Sequence, residues 1–118
     1  MSDDMSNDVD GRILEHVFAV IESRRGSDPD ASYTARLLCA GMPKIARKLG
    51  EEAVEVVVAA LSERPRIAAE SADLLYHLLV LWAGAGLRPA DVWDELARRQ
   101  GVSGLAEKAA RGRDGHLG

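Results

Sequence analysis

Apolar residues recur at helical spacing along most of the chain. The first such segment runs from about Asp10 to Arg24, with apolar residues three or four positions apart, as on one face of a helix. Ser32 is placed to cap a short helix over Tyr33 to Cys39, because a serine hydroxyl accepts a hydrogen bond from the first turn. No segment shows the sustained alternation of apolar and polar residues expected of a strand. The chain is therefore predicted to be all-α.

Prolines and glycines mark the ends of three further helices. Pro43 suits the first turn of a helix over residues 43–62, where a missing N–H does no harm. Pro65 is expected to open a helix over residues 65–85, and Pro89 one over residues 89–100. With the short helix, these segments predict a bundle of four to five helices.

Two of these helices carry too many apolar residues for a small bundle to cover. The first helix of the pair carries Val54, Val56, Val57, Val58 and Leu61, and the second carries Leu74, Leu75, Leu78, Leu79, Leu81 and Trp82. A bundle of this size buries one stripe of each helix, so further apolar surface has to be covered by self-association. We therefore expect a homodimer, or a higher homo-oligomer, to complete the fold.

The length, composition and charge of the chain indicate what kind of protein it is. Its 118 residues and 47% hydrophobic content fit one domain, which we place at residues 10–111 between a disordered leader (1–9) and a frayed tail (112–118). The net charge of −4 argues against a general nucleic-acid-binding surface. The acidic N-terminus does not resemble a signal peptide, and the apolar runs are too short to span a bilayer, so we expect a cytoplasmic protein without membrane contact. The single cysteine, Cys39, is expected to be a small buried hydrophobe.

Acidic residues interrupt the two apolar helices at matching positions. Glu52 and Glu55 form an E-x-x-E pair on the first helix, and Glu70 and Asp73 an E-x-x-D pair on the second. Residues three or four apart share a helix face, and both pairs lie at similar distances from the turn between the helices. If the helices are antiparallel, four carboxylates face each other. Such a cluster has to protonate, pair with basic residues or bind a cation, and oxygen ligands alone favour Mg²⁺.

A simpler interpretation of each motif stays open. An E-x-x-E pair is common on solvated helix faces, and Lys48 and Glu52 are spaced for an ordinary ion pair. It is the combination of both motifs on adjacent apolar helices that favours a metal site. A di-iron bundle is disfavoured, because it requires E-x-x-H motifs.

Three further residues are candidates for substrate binding. Lys48 and Lys44 extend the face of Glu52 by one and two turns and are placed to hold phosphate oxygens; the alternative is that they serve solubility and local pairing. His77 lies one turn beyond Asp73 and is either a substrate-binding residue or a core histidine with satisfied hydrogen bonds.

These residues together resemble a known family. The segments "SYTARLL", "KIARKLGEEAVEVVVAAL" and "ESADLLYHLLVLW" closely resemble the phosphoribosyl-ATP pyrophosphatase family, over about residues 13 to 111. This family belongs to the all-α MazG-type nucleotide pyrophosphohydrolases, whose pattern is E-E-x-x-E followed by E-x-x-D. The matching positions are Glu51, Glu52, Glu55, Glu70 and Asp73.

The resemblance implies an all-α homodimer or larger oligomer that cleaves phosphoribosyl-ATP to phosphoribosyl-AMP and pyrophosphate, with Mg²⁺, in the second step of histidine biosynthesis. We expect the standalone form, because the chain has no room for the cyclohydrolase domain that some relatives carry. In our interpretation Glu52, Glu55, Glu70 and Asp73 hold the metal, while Glu51, Glu52 and Glu55 are the catalytic candidates. Two rival functions remain at this point: a MazG-like housekeeping enzyme acting on nucleoside triphosphates, and a non-enzymatic helical dimerisation module.

Overall fold

The structure, a computed structural model, describes residues 9–100. All regular secondary structure in this part of the chain is helical. The α-helices of this part of the chain are α1 (Ile13–Ser23), α2 (Tyr33–Ala40), α3 (Met42–Ser62), α4 (Ile67–Ala85) and α5 (Pro89–Gln100), and a 3-10 helix (Arg64–Arg66) precedes α4. The all-α prediction is confirmed. The predicted leader, tail and final domain boundary fall almost entirely on residues 1–8 and 101–118, outside the described residues.

The ends of the helices follow local hydrogen bonds. The Asp10 carboxylate accepts the backbone N–H of Arg12 at 2.9 Å and holds the chain in a turn, so α1 begins at Ile13, later than predicted. The Ser32 hydroxyl accepts the backbone N–H of Ala35 at 3.1 Å, which confirms the predicted cap of α2. The helix predicted to open at Pro65 instead starts with the 3-10 turn.

Helices α3 and α4 form an antiparallel hairpin, the most extensive packing between elements in the described part of the chain. Gly84, near the end of α4, lies against the start of α3. A Cβ atom on Gly84 would be 3.1 Å from both the Ile45 Cδ1 and the Met42 Sδ atoms. Gly86 then ends α4 in the left-handed region, at φ 80°, where glycine carries no steric penalty.

Helices α1 to α4 pack around a largely aliphatic core. Its most deeply buried large side chains are Ile21, Leu37, Ile45, Leu79 and Val80. Trp82 is also buried, as a packing residue should be. Cys39 contradicts its prediction: the side chain is exposed, because it lies in the last turn of α2 while Ala35 and Leu37 make the core contacts of that helix.

One face of α3 remains exposed although it is apolar. Val57 is 55% exposed and Leu61 is 83% exposed, and Val54 and Val58 lie beside them on the same helix. Most residues of this type are buried in soluble proteins, and a contiguous apolar patch is typical of an interaction surface. The exposed face agrees with the predicted self-association, which stays a prediction.

Residues up to Leu87 form one compact unit, and α5 belongs to a second. In α5 the carboxylate of Glu95 accepts hydrogen bonds from Arg98, at 2.6 Å, and from Arg99, at 2.9 Å. These bonds, led by the one from Arg98, lower the pKa of Glu95 to about 2. Within residues 9–100, no helix is both long enough and apolar enough to cross a membrane. The cytoplasmic location stays a prediction.

Candidate metal and phosphate site

Three carboxylates meet in the middle of the α3–α4 hairpin. Glu52 comes from α3, while Glu70 and Asp73 lie one turn apart on the facing side of α4, and one oxygen from each lies within 4.8 Å of the others. The structure thus brings together three of the four predicted metal ligands. Glu55 is exposed and does not belong to this group.

The size of this cluster suits one small divalent cation. Mg²⁺ holds ligand oxygens at about 2.0–2.1 Å, so two of them are separated by at most about 4.2 Å. The three carboxylates therefore need at most a small closing movement to share one ion. All of the donors are oxygens, which favour Mg²⁺ or Mn²⁺ over a softer metal. The donor set fits the predicted cofactor and leaves the identity of the ion open.

Arginine already neutralises part of the negative charge of the cluster. Glu70 is buried, at 7% exposed, and its Oε2 atom accepts a hydrogen bond from the guanidinium of Arg66 in the 3-10 turn. Arg66 also donates to the Glu63 carboxylate at 3.0 Å, and this bond is the main cause of its raised pKa. A carboxylate has two oxygens, so Glu70 can keep its arginine and still offer an oxygen to a metal. Sequence reasoning missed Arg66, although its spacing of four residues from Glu70 was a usable signal.

The candidate phosphate-binding lysines lie on α3 before the acidic cluster. The Lys48 ammonium is 3.2 Å from the Glu51 carboxylate, and this bond is the main cause of the raised pKa of Lys48. The lysine therefore pairs with the glutamate three residues on, one residue short of the spacing noted in the sequence. Lys44 lies one turn earlier and is half-buried. Both substrate-binding assignments stay predictions.

His77 lies one turn after Asp73 on α4, and both of its ring nitrogens are hydrogen-bonded. The ring is 7% exposed, its Nδ1 atom is 2.8 Å from the backbone carbonyl oxygen of Asp73, and its Nε2 atom is 3.0 Å from the hydroxyl of Tyr33. These bonds agree with the interpretation of His77 as a histidine with satisfied hydrogen bonds. Its role in substrate binding stays a prediction.

Tyr33 is a site residue that sequence reasoning did not single out. It is the first residue of α2, and its phenol interacts electrostatically with Lys48, Glu51 and Glu52. Partial burial raises the pKa of the Tyr33 hydroxyl, and Lys48 opposes that rise. The only signal in the sequence was its position in the segment "SYTARLL", which contributed to the family resemblance.

Comparison with known proteins agrees with this geometry. Residues 14–100 match the model of a family described as phosphoribosyl-ATP pyrophosphohydrolase. A phosphoribosyl-ATP pyrophosphatase of Paramagnetospirillum magneticum is 62% identical over 103 residues, which cover 86% of this chain and 94% of the relative. A protein of the same name from Rhodospirillum rubrum is 60% identical, over 84% of this chain and 86% of the relative. Another, from Azospirillum brasilense, is 54% identical, over 87% of this chain and 94% of the relative. The resemblance inferred from the residues is confirmed: the chain belongs to the phosphoribosyl-ATP pyrophosphohydrolase family.

Proposed function

We propose that this protein hydrolyses phosphoribosyl-ATP to phosphoribosyl-AMP and pyrophosphate, in the second step of histidine biosynthesis, and that it requires Mg²⁺. The observation that carries the proposal is the group of three carboxylates, Glu52, Glu70 and Asp73, whose oxygens lie within 4.8 Å of one another. The family assignment supports the substrate, and the oxygen-only donor set supports the cofactor.

The acidic residues divide the work of the reaction between them. Glu52, Glu70 and Asp73 would hold the ion, which when bound supplies a positive charge that stabilises the leaving pyrophosphate. Glu55 lies outside this group and is exposed, so its carboxylate is available to take the proton of the attacking water. Glu51 pairs with Lys48 and orients that ammonium beside the cluster.

The basic side chains provide the phosphate contacts. Lys44 and Lys48 lie on the same helix as Glu52, within two turns of it, so the triphosphate can lie along α3 with its charge matched by ammonium groups. A lysine acts here as a flexible point charge. The pairing of Lys48 with Glu51 keeps this charge next to the cluster before the substrate arrives.

We infer further that two copies of the chain associate through the exposed apolar face of α3. This face lies on the helix that carries Glu52 and Glu55, so association would place the site close to the interface between the two copies. Burial of apolar surface is the main driving force for such assemblies.

The test is pyrophosphate release from phosphoribosyl-ATP, measured with and without Mg²⁺. We expect turnover only with the ion, and a fall by orders of magnitude in Glu52→Gln and Asp73→Asn, which keep the shape of the side chains and remove their charge. Glu22→Gln is the matched control: it makes the same change on α1, at a glutamate that pairs with Arg25 just beyond the helix, and should leave turnover unchanged.

Two results would contradict the proposal. Faster turnover of ordinary nucleoside triphosphates than of phosphoribosyl-ATP would favour the MazG-like alternative. No hydrolysis of any nucleotide, with a melting temperature unaffected by Mg²⁺, would favour the dimerisation module.

A further inference from the structure

Two hydrogen bonds in series join the first turn of α2 to the backbone of Asp73, one of the three clustered acidic residues. The Asp73 carbonyl oxygen can only accept, so the Nδ1 atom of His77 carries the proton of that 2.8 Å bond. In the neutral ring the Nε2 atom is then an acceptor, and the Tyr33 hydroxyl donates to it across 3.0 Å. The acceptor-only carbonyl fixes the direction of the first bond, and the direction of the second follows from it for a neutral ring.

The tyrosine and the histidine in this series of hydrogen bonds are held by different parts of the fold. Tyr33 directly follows Ser32, whose side chain caps α2, so the tyrosine is anchored at a defined helix terminus. The His77 ring is also held at its edges, with ring centres 5.8 Å from Tyr33 and 5.2 Å from Tyr76 in edge-on contacts. A buried ring with two hydrogen bonds and two aromatic neighbours has little freedom to move.

Asp73 is the residue on which this anchoring acts. It is exposed, in contrast to buried Glu70 and half-buried Glu52, so packing restrains it least among the three carboxylates. An aspartate carboxylate is only one bond from its Cβ atom, and its position therefore follows the backbone closely. Outer hydrogen bonds that orient a metal ligand typically change metal affinity or activity by about 10–100-fold when they are removed.

We propose that Tyr33 and His77 are positioning residues for the metal site: the Tyr33–His77 hydrogen bond fixes the backbone of Asp73 and thereby presents its carboxylate to the ion. This inference rests on the metal site of the proposed function. It gives His77 a role different from direct substrate binding, and it gives Tyr33 a role that the acidic motif does not include.

The structure offers a closely matched control for Tyr33. Tyr76 makes a hydroxyl contact across the same pair of helices, to the hydroxyl of Thr34, but its hydroxyl does not join the chain that leads to Asp73. Tyr33→Phe and Tyr76→Phe therefore each remove one oxygen and one α2–α4 hydrogen bond, while both keep the aromatic ring against His77. A purely structural role predicts the same outcome for the two variants.

The experiment measures Mn²⁺ affinity by electron paramagnetic resonance, alongside turnover and melting temperature. We expect Tyr33→Phe to weaken Mn²⁺ binding by about 10-fold or more and to lower kcat. Tyr76→Phe should keep the wild-type Mn²⁺ affinity, even if its melting temperature falls as much as that of Tyr33→Phe. Equal Mn²⁺ affinities in the two variants would overturn the proposal.

Two further measurements test the route through His77. Nitrogen NMR of the apo protein should show the neutral ring protonated at Nδ1, and protonation at Nε2 instead would contradict the assignment. In a His77→Phe background, which keeps an aromatic ring but lacks both ring nitrogens, Tyr33→Phe should have little further effect on Mn²⁺ affinity, and fully additive losses would refute a shared route.

The outcome for the substrate is separate from the outcome for the positioning residues. If the wild type binds Mn²⁺ but does not cleave phosphoribosyl-ATP, the proposed function fails while the difference between Tyr33→Phe and Tyr76→Phe still supports the positioning role. If the wild type cleaves the substrate and both variants bind Mn²⁺ equally well, only the positioning role fails.

Discussion

At the scale of single residues, the acidic positions have unequal surroundings. Glu70 is buried and bonded to Arg66, Glu52 is half-buried and Asp73 is exposed, yet their oxygens converge. Glu55 shares the E-x-x-E motif with Glu52 but lies outside that group. Residues of one motif can therefore have different roles, and charge-removing variants should separate them.

Asp73→Asn and Glu55→Gln should differ in metal binding. If Asp73 is a metal ligand, Mg²⁺ should raise the melting temperature of the wild type, and Asp73→Asn should abolish most of that rise. Glu55→Gln should keep that rise and lose about 10²–10⁴-fold in turnover, as for the loss of a general base. The measurement is thermal unfolding with and without Mg²⁺, combined with steady-state kinetics. A Glu55→Gln protein that no longer responds to Mg²⁺ would support the four-ligand site predicted from the sequence.

The lysines should matter for the substrate more than for the fold. Lys48→Ala removes a solvent-accessible ion pair between a half-buried lysine and the exposed Glu51, a kind of pair that adds little stability, so the melting temperature should stay close to that of the wild type. The kcat/KM value should fall by about 10–100-fold, as expected when a charged hydrogen bond to phosphate is lost. Lys44→Ala should act in the same direction. Arg47→Ala, an exposed cation on the same helix, is the control; an equal loss there would mean that general charge, and not position, is responsible.

The sequence identified the acidic residues of the site but not the residues that hold them. Glu52, Glu70 and Asp73 could be predicted because helical spacing alone places charges on facing surfaces of two consecutive helices. Tyr33 could not be predicted this way, since its contact with His77 joins residues far apart in the chain and depends on how α2 packs on α4.

At the scale of helices, boundaries were predictable wherever proline, glycine or serine determines the local backbone. Pro89 opens α5 and Ser32 caps α2, as predicted. The 3-10 turn over Arg64–Arg66 was not predicted, because Pro65 is compatible with the first turn of either kind of helix. Exposure of Cys39 also escaped prediction, because composition gives the usual burial of cysteine and not the side of α2 on which it lies.

Two helical glycines should respond differently to alanine. A Cβ atom at Gly50, inside α3, meets no atom within 4 Å, so Gly50→Ala should stabilise the fold by about 0.8–1.0 kcal/mol through helix propensity alone. At Gly84 the new Cβ atom would press on Ile45 and Met42, both at 3.1 Å, and the gain should be reduced or reversed. Urea unfolding of the two variants checks this. Equal stabilisation at both positions would show that Ile45 and Met42 can make room for the new Cβ atom without loss of stability.

The carboxylate of Glu95 should contribute to stability only above strongly acidic pH. Its pKa is lowered in the folded chain to about 2 from an ordinary 4.5, so the folded state favours the charged form. The resulting stability is fully present above about pH 4.5 and is lost as the pH falls toward about 2. The difference in melting temperature between wild type and Glu95→Gln should therefore be small at neutral pH, because the Glu95 side chain is 45% exposed to solvent, and should vanish near pH 2. A direct NMR titration that found the pKa of Glu95 near 4.5 would show that its hydrogen bonds to Arg98 and Arg99 do not persist in solution.

At the scale of the whole molecule, the exposed valines and leucine of α3 predict the assembly. Val57→Glu should leave an isolated chain folded, because the side chain is exposed, but it would bury a charge in any interface formed through α3. We expect light scattering at micromolar concentration to give a dimer mass for the wild type and a monomer mass for Val57→Glu. Val20→Glu, at an exposed valine of α1, is the control. A monomeric wild type would refute the assembly.

The sequence predicted that apolar surface would remain exposed, because two consecutive helices carry more of it than one small bundle can cover. It did not predict which face of α3 would be left, because that depends on the side of the helix that α4 occupies. Ile45 and Ala59 are buried, while Val54, Val57 and Val58 are exposed. All of these residues are apolar, and only their contacts distinguish them.

The hairpin that carries the three carboxylates also has a consequence for the order of folding. Glu52, Glu70 and Asp73 belong to consecutive helices joined by a short turn, so closing the loop between them costs little chain entropy, and contacts this local form quickly. Tyr33 reaches His77 only after α2 has docked, which is a contact of much longer range. The three carboxylates would thus come together early in folding, while the hydrogen bonds between Tyr33, His77 and the Asp73 backbone form later. A cation present during folding would meet a loosely formed site first and a precisely arranged one only when the rest of the unit has packed.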